Sequence, residues 1–191
     1  PPATMNKLIA YFESIGFTGE PLHKISEAIE VKTYKKYDYV VQEGKTSRHL
    51  GFVESGVFQY YVNLDGEEKT TYVNIENTFL ASVMSFVSET PALENIRALT
   101  DGCISLISRA NLKRLVEEIP SFKNFYINLL EFAVCGIDES RHDLIVLNAE
   151  QRYEKMLRKQ PQLLQHIPLQ HLASMLGITA RHLSRIRNNI H

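Results

Sequence analysis

The sequence predicts an α+β fold, in which a barrel or sandwich of short strands is followed by one long helix and a C-terminal helix-turn-helix. Three observations indicate this fold. Residues 31 to about 107 contain short β-branched and aromatic runs separated by turn glycines. From residue 121 onward, apolar residues recur at helical spacing over a long stretch. Near the C-terminus, LASMLGITARHLSRI holds two helical stripes that meet at a glycine.

Two short helices are predicted to precede the strands, because apolar residues within 6–30 recur at helical spacing on either side of a glycine-containing break. The strands that follow are short and evenly spaced, which is typical of a barrel or sandwich rather than of βαβ units. A short helix, capped by Ser108 and ending before Pro120, completes this region. The predicted strands are the runs VKTY, YVV, HLGFV, VFQYYV, KTTYV, TFLA, IRAL and CISLI.

The long helix is predicted to have two apolar faces. One is a seam whose residues are spaced alternately by four and three, as in a coiled coil, and such a seam fits a partner helix. The seam could instead pack on the chain's own strands, but Phe122, Phe125, Leu129 and Phe132 on a neighbouring face could fill that role. We therefore expect the phenylalanine face to dock on the strands and the seam to pair with the same helix of a second copy. The seam comprises Tyr126, Leu130, Ala133, Ile137, Ser140, Leu144 and Leu147.

The C-terminal stretch is predicted to form a helix-turn-helix. Gly177 can adopt a positive φ without a Cβ penalty and so ends the first helix, after which Thr179 caps the second. Ala173 is small enough to let the two helices cross closely at a steep angle. A further helix, AEQRYEKMLRK, precedes the motif, and we expect Asn148 to cap it and Pro161 to end it.

The second helix of this motif presents one face that suits DNA. Arg181, Ser184, Arg185 and Asn188 share that face by their spacing. Arginine can donate two hydrogen bonds to guanine, while serine and asparagine can reach phosphates or adenine. The alternative interpretation is an ordinary helical hairpin with a solvated basic face.

Composition places the chain among globular proteins with a packed core, since 44% of its 191 residues are hydrophobic. No apolar run of about 18 residues occurs, and PPATMNKLIAYFES lacks the basic and apolar regions of a signal peptide. We therefore expect a cytoplasmic protein that does not associate with membranes. Cys103 and Cys135 form no C-x-x-C pair, which favours buried free thiols and predicts no disulfide, metal site or cofactor.

Charge is segregated along the chain, although the net charge is only −1. Residues 151–191 contain seven Lys and Arg but one acidic residue, Glu154, and so carry +6. Residues 1–150 contain the other 14 basic and 21 acidic residues and carry −7. A basic C-terminal segment beside an acidic body is expected of a protein whose tail contacts phosphates, although a solvated surface can be as uneven by chance.

This order of parts resembles the Crp/Fnr family of bacterial transcription regulators. The resemblance rests first on YDYVVQEGKTSRHLGFVESGVFQYYVNLDGEEKTTYVNIENTF, which matches the family's succession of strands and glycine turns. It rests also on LNAEQRYEKMLRKQPQLLQHIPLQHLASMLGITARHLSRIR, which is similar to a branch common in Bacteroidetes. The resemblance implies a cyclic-nucleotide-binding-like β-roll of jelly-roll type over residues 6–120, a dimerisation helix over 121–147 and a helix-turn-helix DNA-binding domain over 148–191.

The resemblance also implies an effector pocket, but its residues differ from those of relatives that bind cyclic AMP. Those relatives hold the ribose with Gly-Glu and the cyclic phosphate with Arg-Ser or Arg-Thr. Here the first pair is Ala81 and Ser82 and the second is Ala92 and Leu93, and an apolar pair cannot neutralise a phosphate. We therefore expect a degenerate site that does not bind cyclic AMP, and either another, more apolar small-molecule effector or none. By this alignment the pocket residues are Ala81, Ser82, Met84, Ala92, Leu93 and Ser140.

The function implied by the resemblance is that of a homodimeric regulator that binds a roughly palindromic operator in double-stranded DNA, with RNA polymerase as a candidate partner. The alternative from a different class is a small-molecule-binding sensor module whose C-terminal hairpin contacts protein rather than DNA. No nucleophile elbow, metal-ligand set or carboxylate pair favours an enzyme, so no catalytic residue is predicted. By the family's pattern the base-reading residues are Ala180, Arg181 and Arg185, and the other DNA-binding residues are Thr179, Ser184, Arg187 and Asn188.

Overall fold

The computed structural model of the protein describes residues 6–190, with side chains for residues 6–189. Residues 1–5 and residue 191 lie outside the described residues. Residues 1–5 are the beginning of PPATMNKLIAYFES, the stretch that was judged not to be a signal peptide. The helices are α1 (Lys7–Ser14), α2 (Gly19–Glu27), α3 (Val83–Ser88), α4 (Arg109–Glu118), α5 (Pro120–Val146), α6 (Ala149–Lys159), α7 (Pro161–His166), α8 (Leu169–Met175) and α9 (Ala180–Ile190). The strands are β1 (Ile29–Tyr34), β2 (Tyr39–Val41), β3 (His49–Ser55), β4 (Phe58–Leu64), β5 (Glu67–Asn74), β6 (Phe79–Leu80), β7 (Asn95–Ala98) and β8 (Gly102–Ser108).

The strands form two four-stranded sheets, in the orders β1-β8-β3-β6 and β2-β7-β4-β5. In the first sheet β8 pairs antiparallel with both β1 and β3. The buried core draws its side chains from both sheets, so it lies between them, as in a sandwich. The predicted α+β fold with a β-sandwich is therefore confirmed. The most buried members of this core are Val53, Phe58, Ile96, Ala98 and Ile104.

The turn between β4 and β5 illustrates how local sequence sets strand pairing. Asp65 and Gly66 have φ values of 52° and 83°, and a two-residue type I′ turn requires positive φ at both positions. Aspartate tolerates this conformation and glycine adopts it without a Cβ clash. Gly66 is therefore one of the turn glycines that were predicted to separate the strands, and β4 and β5 form a tight hairpin around it.

Aromatic rings attach the start of α5 to the N-terminal helices. Phe122 is fully buried, and its ring centroid lies 5.9 Å from that of Phe12 and 6.4 Å from that of Phe17, distances at which aromatic pairs attract one another. Phe125 is also buried, but Phe132 is 78% exposed, so the prediction that Phe132 docks on the strands is wrong. Phe132 lies about 15 Å further along the helix than Phe122, where its side chain faces solvent.

The chain divides into two compact units. The first consists of the chain up to Tyr60 together with Asn74–Asn124, and the second of Tyr61–Val73 together with the chain from Phe125 onward. Both α5 and the β4–β5 hairpin continue from one unit into the other. The second unit therefore contains most of this hairpin and most of α5, as well as α6 to α9.

Three local predictions need correction. α5 begins at Pro120 rather than at residue 121, because proline fits the first turn of a helix, where its missing N–H has no partner to lose. Pro161 ends α6 as predicted, but it also begins α7 for the same reason. The cysteines are not buried: Cys135 is exposed on the uncovered part of α5, and Cys103 is half-buried.

Candidate functional site

The turn between α8 and α9 is fixed by its own main-chain bonds. Gly177 has φ +69°. Its N–H donates to the carbonyl of Ser174 at 2.9 Å, and the N–H of Ile178 donates to the carbonyl of Ala173 at 3.0 Å, a pattern that closes a helix in a Schellman motif. Thr179 Oγ1 then accepts the N–H of His182 at 3.2 Å. The predicted glycine turn and threonine cap are therefore confirmed.

The apolar residues of the motif face inward. Ala173 is buried where the close crossing was predicted, and Leu183 on α9 is fully buried. The buried side chains of α8 and α9 stabilise the position of α9, in addition to the hydrogen bonds within that helix. The buried apolar residues of the motif are Leu172, Ala173, Leu176, Leu183 and Ile186.

The outer face of α9 combines positive charge with exposure. Arg181, Arg185 and Arg187 are exposed, and α9 contains no acidic residue. Among the described residues none of these three arginines forms an ion pair, so their guanidinium groups are available to an external anion. Ala180 is half-buried, and the other predicted DNA-binding residues, Thr179, Ser184 and Asn188, are exposed.

Other basic residues of the C-terminal segment are already paired. Lys155 on α6 forms ion pairs with Glu139, at 2.8 Å, and with Asp143 on α5, and Lys159 pairs with Glu139. The hydrogen bonds from the two lysines lower the pKa of Glu139 to about 2. The net charge of +6 on residues 151–191 therefore overstates the positive charge that is available to DNA. Two of those lysines are paired with acidic residues of α5, which belong to residues 1–150.

The β4–β5 hairpin contacts the first helix of the motif, which the sequence did not predict. The N–H of Thr70 donates to Ser174 Oγ at 2.8 Å, and Thr70 Oγ1 and His171 Nδ1 form a hydrogen bond of 3.1 Å. Thr70 is buried. A pair separated by about a hundred residues leaves no periodic or local signal in a single sequence. The hairpin thus forms hydrogen bonds with two polar side chains of α8, His171 and Ser174, which lie one helical turn apart.

The exposed part of α5 carries an apolar stripe, which we call the α5 stripe. Ile137 is 57% exposed and Leu144 59% exposed, and both belong to the predicted seam. Tyr126 and Ala133 of that seam are instead half-buried. The residues that follow them in the chain, Ile127 and Val134, are exposed instead. The apolar surface that faces solvent is therefore rotated around the helix from the predicted seam. The stripe consists of Ile127, Leu130, Val134, Ile137 and Leu144, of which Leu130 is half-buried.

The predicted effector residues fall into two groups. Ala81 and Ser82 belong to a hydrogen-bonded group, because the hydroxyl of Tyr60 accepts the N–H of Ala81 at 3.1 Å and Ser82 Oγ donates to Glu94 Oε1 at 2.9 Å. Burial raises the pKa of Glu94, against the effect of the Ser82 bond. Ala92 is buried as well. Met84, Leu93 and Ser140 are exposed, and Ser140 lies on the part of α5 that belongs to the second unit.

The strand-rich part is similar to a known domain family. Residues 31–119 match the cyclic nucleotide-binding domain family. The matched range includes the eight described strands apart from the first two residues of β1, together with α3 and α4. No curated protein matches the chain by sequence.

Solved structures resemble the chain over most of its length. FixK2 from Bradyrhizobium japonicum is 15% identical with a TM-score of 0.75, covering 85% of this chain and 84% of that one. A CooA mutant from Carboxydothermus hydrogenoformans is 17% identical with a TM-score of 0.72, covering 95% and 83%. CLP from Xanthomonas campestris, described as a global regulator responsive to c-di-GMP, is 17% identical with a TM-score of 0.64, covering 89% and 90%. These matches establish a shared fold of cyclic nucleotide-binding domain, long helix and C-terminal helices.

No helix within 6–190 combines the length and the apolar character needed to cross a bilayer. In the same range no three His, Cys, Asp or Glu side chains are grouped as metal ligands would be.

Proposed function

We propose that this protein is a transcription regulator of the Crp/Fnr type, which acts on DNA in the cytoplasm as a homodimer. The observation that carries the proposal is the outer face of α9, where three exposed arginines form no ion pair with any described residue, on a helix that follows a Schellman turn. The folds shared with FixK2, CooA and CLP support it. In this proposal residues 6–120, 121–147 and 148–191 serve as effector, dimerisation and DNA-binding domains.

The proposed reading helix is α9, lying in the major groove. Arg181 and Arg185 would donate bidentate hydrogen bonds to guanine, and Ala180 would contact a base through its methyl group. Thr179, Ser184, Arg187 and Asn188 would hold phosphates and so set the register. Because Lys155 and Lys159 are paired with α5, they are left out of the proposed interface.

The proposed dimer contact is the α5 stripe. Its apolar side chains are spaced by three, four, three and seven residues, which matches the seam of a two-stranded coiled coil in which Arg141 occupies one position. The same stripe on a second copy supplies a complementary surface by two-fold symmetry. The two α9 helices would then lie about 34 Å apart, one turn of DNA, on a roughly palindromic operator.

The experiment that tests this function begins with genomic fragments selected by the purified protein. The duplex recovered most often is then titrated by fluorescence anisotropy between about 50 and 200 mM salt, over which phosphate contacts should make the affinity fall steeply. If no duplex binds even at the lowest salt, the regulator proposal fails. The sensor module with a protein partner then becomes the preferred function.

Replacement of Arg185 by alanine should weaken binding to that duplex by about 1–3 kcal/mol, because a bidentate contact to one base pair is lost. Arg114→Ala, on α4, removes another exposed arginine and should leave the affinity unchanged. An Arg185→Ala protein that binds as tightly as this control would remove Arg185 from the proposed base-reading residues.

We propose that the pocket does not accept cyclic AMP. The positions that would neutralise a cyclic phosphate hold Ala92 and Leu93, and the half-buried carboxylate of Glu94 bonded to Ser82 would repel one. Operator affinity should therefore be the same with and without cyclic AMP, and calorimetry should detect no binding heat. A measurable Kd for cyclic AMP would contradict this part of the proposal.

A further inference from the structure

Arg152 on α6 bonds the main chain at two separate junctions. Its Nη1 donates to the carbonyl of Leu147 at 2.5 Å, and its Nη2 donates to the carbonyl of Leu176 at 2.6 Å. Leu147 lies between α5 and α6, and Leu176 is the C-cap of α8, directly before Gly177. One planar guanidinium therefore joins the end of the long helix to the turn of the helix-turn-helix.

Both bonds meet carbonyls at helix ends, since Leu147 directly follows α5 and Leu176 is the C-cap of α8. The last carbonyls of a helix have no intrahelical donor, and a cation near a helix C-terminus also interacts favourably with the helix dipole. Bonds from a charged donor are about twice as strong as neutral ones. Among the described residues Arg152 Nε is buried without a hydrogen-bond partner. The side chain thus adopts the orientation that serves the two carbonyls, although one of its donors stays unsatisfied.

Arg152 belongs to a row of basic residues on one face of α6. Lys155 and Lys159 follow it at spacings of three and seven, which places all three on the same side of the helix. The two lysines bind Glu139 and Asp143 of α5. They attach α6 to α5, but Arg152 is the member of this row whose contacts also reach the motif turn.

We infer that Arg152 is a positioning residue, which sets the direction of α9 relative to the end of α5. α9 begins at Ala180, directly after the turn that the Leu176 carbonyl opens. A change in that carbonyl's position would therefore rotate the proposed reading helix. The inference rests on the proposed function and deepens it, since in a dimer this direction decides the half-site spacing that both α9 helices can reach at once.

The first test varies the DNA. Arg152→Gln and Arg152→Lys are titrated against the selected duplex and against duplexes with the spacer between half-sites one base pair shorter or longer. Arg158→Gln is the matched control, since Arg158 is an exposed arginine on the same helix. We expect both Arg152 variants to lose at least about tenfold on the best spacer, as expected for one lost charge-assisted bond, and to discriminate less between spacers. A loss of stability alone would weaken binding to all three duplexes equally.

The second test needs no DNA, so its outcome does not depend on the regulator proposal. Hydrogen exchange at amides 177–183 of the free protein should be about tenfold faster in Arg152→Gln than in Arg158→Gln, because one charge-assisted bond to the turn is missing. Arg152→Lys should behave similarly, since one nitrogen cannot occupy both the Nη1 and Nη2 positions. If circular dichroism indicates that Arg152→Gln does not fold, Arg152→Lys is the deciding variant. Exchange rates and a spacer profile equal to those of Arg158→Gln would overturn the inference, whereas a wild-type protein that binds no duplex would overturn only the proposed function.

Discussion

Replacing Ile137 by glutamate is expected to separate the proposed dimer into monomers and to lower the affinity for a two-half-site duplex by about 10²–10⁴-fold. Ile137 lies in the middle of the α5 stripe and is 57% exposed in the single chain. In the proposed dimer its glutamate replacement would place a charge in an apolar seam, opposite the same charge of the second copy. The loss in affinity follows because linked binding of two half-sites would become binding of one.

The measurement for Ile137→Glu is sedimentation velocity, followed by anisotropy on the selected duplex. Ile15→Glu serves as the control, because Ile15 is similarly exposed at 45% but lies outside α5. The control should stay dimeric and keep its affinity. If Ile137→Glu sediments as the wild-type dimer does, the α5 stripe is not the contact between copies.

Replacing Phe122 by alanine should lower the free energy of unfolding by about 3–5 kcal/mol, the usual cost of truncating a fully buried phenylalanine. Phe122 is 0% exposed, and its ring packs against those of Phe12 and Phe17. The cavity cannot close easily, because both neighbouring rings are themselves buried in close packing. Urea unfolding followed by circular dichroism measures the change.

The adjacent Lys123 supplies the control for this stability measurement. It is exposed on the same turn of α5, so Lys123→Ala should change the free energy of unfolding by no more than about 0.5 kcal/mol. A loss below about 1 kcal/mol for Phe122→Ala would mean that the cluster of aromatic rings can repack without it.

Features built from neighbouring residues could be predicted from the sequence. The caps at Ser108, Asn148 and Thr179 each accept an N–H three residues ahead, so the residue type and the helix start together predict the bond. The positive φ at Gly66 and Gly177 follows in the same way from turn chemistry. The strands were predictable because β-branched and aromatic runs alternate with such turns.

Features built from distant residues could not be predicted in this way. The bonds of Thr70 to Ser174, of Arg152 to Leu176 and of Ser82 to Glu94 join elements whose approach only the folded chain determines. The rotation of the α5 stripe from the predicted seam has another cause. This helix has apolar residues on several faces, so a heptad can be drawn through more than one set of positions.

The charge cluster between α5 and α6 limits how acidity could act on this protein. The folded-state pKa of Glu139 is depressed from 4.5 to about 2, so its stabilising contribution is complete above pH 4.5 and is lost only as the pH falls towards 2. The pKa of Lys155 is raised from 10.5 by its bonds to Asp143 and Glu139, so its contribution is complete below pH 10.5. Between those limits neither partner changes its protonation. The ion pair between Glu139 and Lys155, which attaches α6 to α5, therefore keeps both of its charges from pH 4.5 to pH 10.5.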